Sequence, residues 1–251
     1  MEEIIKQKLM DIERTENVRI LLAVESGSRA WGFASPDSDY DVRFLYVRPK
    51  TDYLRLEAVR DVIELPINEV LDINGWDLQK ALRLLYTSNP TMLEWLMSPI
   101  VYRDTALAER LRALKAAYFS PKKCLYHYLS TAKKNNATYL SKAEVKVKKY
   151  FYVLRPLLAC LWILEKNTQP PMLFSELAEA ELPSSLRADV DTLLELKMRS
   201  REIQTIPRVT AVQTYIDSLI ANISAKLKAI PNQRNAGWEA LDKFFLDALE
   251  N

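Results

Sequence analysis

The chain has 251 residues, of which 49% are hydrophobic and 27% are charged, and its formal net charge is +2. No stretch approaches the roughly 18 consecutive apolar residues of a membrane span, and the acidic start lacks the pattern of a signal peptide, so we expect a cytoplasmic protein with no membrane partner. Two cysteines, Cys124 and Cys160, and a single histidine, His127, argue against a disulfide framework, a zinc enzyme and a Ser-His-Asp hydrolase.

Helix and strand patterns alternate in the first part of the chain. Apolar spacing and turn residues predict a helix over 2–16, strands over 18–26, 41–47, 61–65 and 69–73, and helices over 76–88 and 89–96. Asn89 is the expected cap of the last of these helices, because Pro90 follows it.

After Tyr118 the strand patterns fade and helical patterns take over. Apolar residues from Val147 to Leu161 are spaced by four and three, which predicts one buried face of a helix that contains Pro156. The chain is therefore predicted to be an α+β protein, with a small mixed sheet and helices in residues 1–118 and a helical domain in residues 119–251.

Charge is unevenly distributed along the chain. Residues 101–160 contain 13 basic and 3 acidic residues, whereas residues 1–100 contain 12 basic and 17 acidic ones. A basic segment of this kind is either a solvated surface or, beside an acidic metal site, a receiver of phosphate groups.

Gly27 and Ser28 stand where a predicted strand ends and a helix begins. Backbone N–H groups at such a junction, together with the hydroxyl of Ser28, are suited to holding a phosphate. A Gly-Ser pair is common at strand ends, so by itself it is a weak signal.

The stronger signal is a pair of aspartates, Asp39 and Asp41, at the start of the next strand. Residues i and i+2 of a strand point to the same face, so the two carboxylates are expected side by side. Like charges in that position repel, and a cation between them would offset the repulsion. Oxygen ligands of this type favour Mg²⁺ or Mn²⁺.

A calcium loop is the competing interpretation, because Asp37, Asp39 and Asp41 alternate as in an EF-hand. The sixth position would be Val42 where the loop requires Gly, and the twelfth would be Arg48 where it requires Glu. Both departures argue against calcium.

The segment GSRAWGFASPDSDYDV resembles the Gly-Ser and Asp-x-Asp signature of DNA polymerase β-type nucleotidyltransferases. Together with GWDLQKALRLL, NPTMLEWL and KKYFYVLRPLLAC, it makes the chain similar to a predicted nucleotidyltransferase family associated with RNA repair operons. The resemblance runs from about Ser26 to Trp162. It implies a polymerase β-like head, a bound NTP and a divalent metal.

The resemblance also implies a third carboxylate on a later strand of the same sheet. Asp72 fits best because it lies in a strand-like run, and with Asp39 and Asp41 it completes the expected catalytic and metal-binding set. Asp77 is the rival, although a position near a helix start suits an acidic residue for local reasons.

Lys148, Tyr152 and Arg155 are candidate nucleotide contacts in the basic segment. Spacings of four and three place them on one helix face, where a ring between two cations could stack a base and bind phosphates. Arg29, next to Ser28, is a further candidate for a phosphate oxygen.

These residues predict transfer of a nucleoside monophosphate from an NTP to an acceptor hydroxyl, with Mg²⁺ or Mn²⁺ as cofactor. The family resemblance favours RNA as the acceptor. A protein side chain, as in nucleotidylating antitoxins, and a small molecule such as an aminoglycoside remain alternatives. A catalytically idle module that binds nucleotide or RNA is the alternative from another class.

Overall fold

The computed structural model describes residues 1–66, 70–201, 204–231 and 236–250. These residues form two compact units. The sheet unit contains Met1–Ala30, Asp39–Tyr118 and residues 236–250, and the helical unit contains Trp31–Ser38 and the described part of 119–231.

The described residues form twelve α-helices, one π-helical turn and seven strands. The helices are α1 (Glu2–Glu16), α2 (Gly27–Ala30), α3 (Lys50–Tyr53), α4 (Leu78–Tyr86), α5 (Pro90–Trp95), α6 (Ala106–Tyr118), α7 (Pro121–Asn135), α8 (Val147–Lys166), α9 (Phe174–Glu181), α10 (Ser184–Arg199), α11 (Thr210–Ala229) and α12 (Glu239–Glu250). The strands are β1 (Arg19–Glu25), β2 (Tyr40–Val47), β3 (Val62–Glu64), β4 (Leu71–Asp77), β5 (Val101–Arg103), β6 (Glu144–Lys146) and β7 (Thr205–Pro207), and the π-helical turn covers Asn136–Leu140.

The sheet unit is built on a mixed five-stranded sheet in the order β3-β4-β2-β1-β5. Strands β2 and β4 are parallel, whereas β1 pairs with β2 and β5, and β3 pairs with β4, in antiparallel fashion. The predicted α+β class is confirmed. The parallel pair matters most for the site, because it aligns the starts of β2 and β4.

Helix α1 packs its apolar face on this sheet, as its spacing predicts. Ile5, Leu9 and Ile12 are buried in one cluster with Val42 and Phe44 of β2. Val42 and Phe44 therefore mark the core-facing side of β2, and the residues that alternate with them point to the opposite face of the sheet.

Strand β4 is longer than predicted and extends to Asp77. The helix predicted over 76–88 instead begins at Leu78, because Trp76 and Asp77 still pair with β2 in the parallel register. Gly75 pairs with Phe44. A Cβ at Gly75 would lie 2.1 Å from Phe44 Cε2, so the glycine makes room for that ring. Glu69, the first residue of the predicted strand, lies outside the described residues.

The helical unit contains α7 to α11 and a two-stranded antiparallel sheet of β6 and β7. Segment Trp31–Ser38 belongs here because Phe33 packs against Phe151 and Phe174, with ring centroids 5.1 and 5.7 Å away. A simple division at residue 118 would have placed this segment in the other unit.

The last helix, α12, belongs to the sheet unit. Trp238 stacks on Tyr86 at a centroid distance of 3.7 Å, and the hydroxyl of Tyr118 donates to the carbonyl of Gly237 at 2.8 Å. The C-terminal end thus departs from the expected helical domain 119–251. Across the described ranges, every helix is too short or too polar to cross a membrane.

Candidate active site

Asp41 and Asp72 lie opposite each other at the starts of two parallel strands. The register pairs Tyr40 with Leu71, Asp41 with Asp72 and Val42 with Ile73. Since paired residues on neighbouring strands project to the same face, both carboxylates leave the sheet on the face opposite the α1 core.

Arg43 joins the two carboxylates. Its Nη2 atom donates to Asp41 Oδ1 at 2.8 Å and to Asp72 Oδ2 at 2.7 Å, and its Nη1 atom donates to the Asp72 carbonyl at 2.8 Å. The Arg43 side chain is only 17% exposed. Asp41 and Asp72 therefore have a counter-charge within the protein itself, the guanidinium of Arg43.

Gly27 lies against Asp41. Its φ is +60°, and a Cβ at this position would lie 2.0 Å from Asp41 Oδ2. The backbone of the turn is held there by a hydrogen bond from the Ser26 amide to the Asp41 carbonyl at 2.8 Å. One carboxylate oxygen of Asp41 thus faces Arg43, and the other faces the glycine turn.

Ser28 and Arg29 follow in the single turn of α2. Ser28 is buried, and Arg29 lies 3.7 Å above the ring of Tyr40 while its Nε donates to the Asp39 carbonyl at 3.1 Å. Because α2 has only four residues, its dipole is small.

Asp39 immediately precedes β2, and its side chain is exposed. Among the described residues, no three carboxylate, histidine or cysteine side chains are grouped closely enough to hold a metal ion. The oxygen donors of Asp39, Asp41 and Asp72 nevertheless match a hard divalent cation in chemistry. Cys124 and Cys160 are both buried and are not joined in a disulfide.

Glu25 is a buried carboxylate that the sequence pattern did not single out. It ends β1, is 0% exposed, and accepts hydrogen bonds from the Asp41 amide at 2.7 Å and from the hydroxyl of Tyr102. Burial raises the pKa of Glu25, and the bonds from Tyr102 and Asp41 offset part of that rise. Glu25 therefore fixes the backbone of Asp41, whose carboxylate contacts both Arg43 and the glycine turn.

Asp77, the rival third carboxylate, has a different setting. It is 3% exposed, caps α4 by accepting from the Gln79 amide at 2.8 Å, and accepts from the Tyr53 hydroxyl at 2.8 Å. Burial raises the pKa of Asp77. It lies at the far end of β4 from Asp72, so this geometry favours Asp72 as the partner of Asp41.

Lys148, Tyr152 and Arg155 lie on α8 in the helical unit. Arg155 is 3% exposed, and its Nε and Nη2 atoms donate to the Met172 carbonyl at 3.2 and 3.1 Å. Trp31 contacts two of these three residues. The Arg155 guanidinium lies 4.6 Å from its ring, and the Tyr152 ring packs edge-on against it at a centroid distance of 5.9 Å. Arg155 thus has a packing role within its own unit, and a nucleotide contact for these three residues stays a prediction.

Comparison with known proteins places the chain in a family. The chain is 46% identical to the uncharacterized protein YcgL of Bacillus subtilis (strain 168), over 98% of this chain and 96% of that one. Its structure is similar to a nucleotidyltransferase-like protein from Exiguobacterium sibiricum 255-15, with 17% identity, a TM-score of 0.34 and coverage of 98% and 80% of the two chains.

A second solved structure, spectinomycin adenyltransferase AAD(9) from Enterococcus faecialis with ATP and spectinomycin, gives a TM-score of 0.49 at 11% identity, over 89% of this chain and 98% of that one. Neither structural likeness indicates a substrate for this chain. The family model, in contrast, matches residues 1–247. The chain therefore belongs to the RNA repair pathway DNA polymerase beta family.

Proposed function

We propose that this protein transfers a nucleoside monophosphate from an NTP to a hydroxyl group of RNA, with release of pyrophosphate. The observation that carries the proposal is the pairing of Asp41 with Asp72 in parallel register, next to a glycine turn that approaches Asp41 within contact distance. Family membership supports both the transferase chemistry and RNA as the acceptor.

Asp39, Asp41 and Asp72 would hold Mg²⁺ or Mn²⁺, which when bound would neutralise phosphate charge and align the acceptor hydroxyl with the α-phosphate. Arg43 now satisfies one oxygen of each strand carboxylate. A cation bound here would share the two carboxylates with Arg43.

The chain's own residues would bind and orient the substrate. The amides around Gly27 and the Ser28 hydroxyl would donate to the β- and γ-phosphates, and Arg29 would bind one further phosphate oxygen. Asp72 would accept the hydroxyl proton of the acceptor, since a carboxylate beside the reacting group can act as a general base. That Lys148, Tyr152 and Arg155 of α8 contact the nucleotide remains part of the proposal and rests on the sequence alone.

A catalytically idle nucleotide- or RNA-binding module is the second candidate. The bridge from Arg43 to Asp41 and Asp72 favours it, because an internal cation stabilises the carboxylates without a metal. Incubation of the protein with each labelled NTP, Mg²⁺ or Mn²⁺, and total RNA or total cell protein separates the two. Label on RNA supports the proposal, label on protein indicates a nucleotidylating enzyme, and no label on either supports the idle module.

A further inference from the structure

A cavity of about 430 Å³ in the helical unit is lined by four lysines, Lys142, Lys146, Lys148 and Lys149. They come from a short stretch of chain that runs from the π-helical turn through β6 into the first turn of α8. Glu144 is the acidic residue among those that line the cavity. Its lining side chains therefore carry a net positive charge.

The positions of these lysines are electrostatically unfavourable for the folded protein. The first turn of α8 contains no acidic residue, and Lys148 and Lys149 occupy it. Cations at the N-terminus of a 20-residue helix oppose its dipole, and ammonium groups around one cavity repel one another. A bound anion would relieve both effects.

An aromatic side chain stands among these lysines. Tyr139 lines the cavity and is 37% exposed, and the Lys149 ammonium lies 3.7 Å from its ring centroid. The same ammonium is 4.9 Å from the ring of Tyr152. Lysines that follow a phosphate chain, combined with an exposed ring on which a base can stack, are typical of sites for single-stranded nucleic acid.

We propose that this cavity binds single-stranded RNA, with Lys142 and Lys146 on backbone phosphates and Tyr139 against a base. The size suits the ligand, because sites for small molecules and single nucleotide units span roughly 300 to 1,000 Å³. RNA is favoured over other polyanions because the chain belongs to an RNA repair pathway family. That this RNA is the acceptor rests on the proposed function, whereas the binding itself does not.

The test is a titration of a fluorescent 12-nucleotide single-stranded RNA by anisotropy, without NTP or divalent metal. Lys142→Ala/Lys146→Ala should weaken binding about tenfold and lower the salt-dependence slope by about 1.4, since each lost phosphate contact on a single strand removes about 0.7. Lys226→Ala/Lys228→Ala is the charge-matched control, because these exposed residues of α11 do not line the cavity. It should change the affinity less than twofold.

The inference is overturned if the cavity variant binds RNA like the wild type, or if the control variant loses as much affinity. Tighter binding of a DNA strand of the same sequence would overturn the assignment to RNA. Because the assay contains no NTP, its outcome is separate from catalysis. Loss of RNA binding in the cavity variant together with no nucleotide transfer by the wild type would uphold the cavity and reject the proposed function.

Discussion

Gly27 and Asp41 are packed so closely that no side chain on residue 27 fits between them. A Cβ on Gly27 would lie 2.0 Å from Asp41 Oδ2, and the φ of +60° is itself unfavourable for other residues. The turn that we expect to hold phosphates is therefore built directly against the carboxylate that we expect to hold the metal.

Gly27→Ala should abolish nucleotide transfer and lower the free energy of unfolding by about 1 to 3 kcal/mol, because alanine adds strain and displaces the Asp41 carboxylate. Gly32→Ala is the matched control, since Gly32 also has a positive φ of +83° but meets only a Leu173 methyl at 3.2 Å. It should lose similar stability and retain transfer activity. Thermal unfolding and initial rates measure the two effects, and an active Gly27→Ala protein would contradict this account of the turn.

Arg43→Gln should raise the affinity for Mn²⁺, because it removes a positive charge that shares Asp41 and Asp72 with the metal. The same change should lower the stability of the metal-free protein by about 1 kcal/mol, a modest value because the ion pairs are partly exposed. Calorimetric titration with Mn²⁺ and thermal unfolding in EDTA test both effects. Weaker Mn²⁺ binding in the variant would show that Arg43 supports the metal site instead of competing with it.

Asp72→Asn should abolish transfer, whereas Asp77→Asn should retain it. Asparagine can still cap α4 at position 77, and Asp77→Ala, which cannot, should lose about 1 to 2 kcal/mol of stability. Transfer rates of the two asparagine variants, measured on protein of equal folded fraction, decide the assignment. The reverse order of activities would make Asp77 the third carboxylate.

Only part of this site can be predicted from the sequence. The two-residue period of a strand places Asp41 and Arg43 on one face, whereas Asp39 lies just before β2. An isolated arginine in a strand carries no signal of its own. Glu25 closes an apolar run, so nothing in the pattern distinguishes it from an ordinary strand end. Its importance depends on the antiparallel pairing of β1 with β2, which is a tertiary property.

Other parts of the fold could not be predicted from the sequence for similar reasons. β5 has three residues, and Val101 is 40% exposed, so neither length nor periodicity indicated a strand. The second sheet pairs two three-residue strands, β6 and β7, that are about 60 residues apart in the chain. Segment Trp31–Ser38 belongs to the helical unit through the packing of Phe33, which no local pattern encodes.

Lys148→Ala should raise the apparent KM for NTP about tenfold with little change in stability, because it removes one of the positive charges that the sequence predicts to contact the nucleotide. Arg155→Ala should raise KM and also lower the melting temperature, since it leaves the Met172 carbonyl without its donor. An unchanged KM in both variants would remove α8 from the nucleotide site.

Substitution of the four α7 lysines should weaken RNA binding in a salt-dependent way. These residues are Lys122, Lys123, Lys133 and Lys134.

The most direct test of the central claim is to incubate the protein with RNA and Mg²⁺, supplying NTP labelled at the α-phosphate in one reaction and at the γ-phosphate in another. The account predicts that only the α-label becomes covalently attached to RNA. It also predicts that Asp39→Asn and Asp41→Asn both abolish the transfer while remaining folded. Transfer by either variant at the wild-type rate, or no transfer by the wild type with any of the four NTPs, would contradict it.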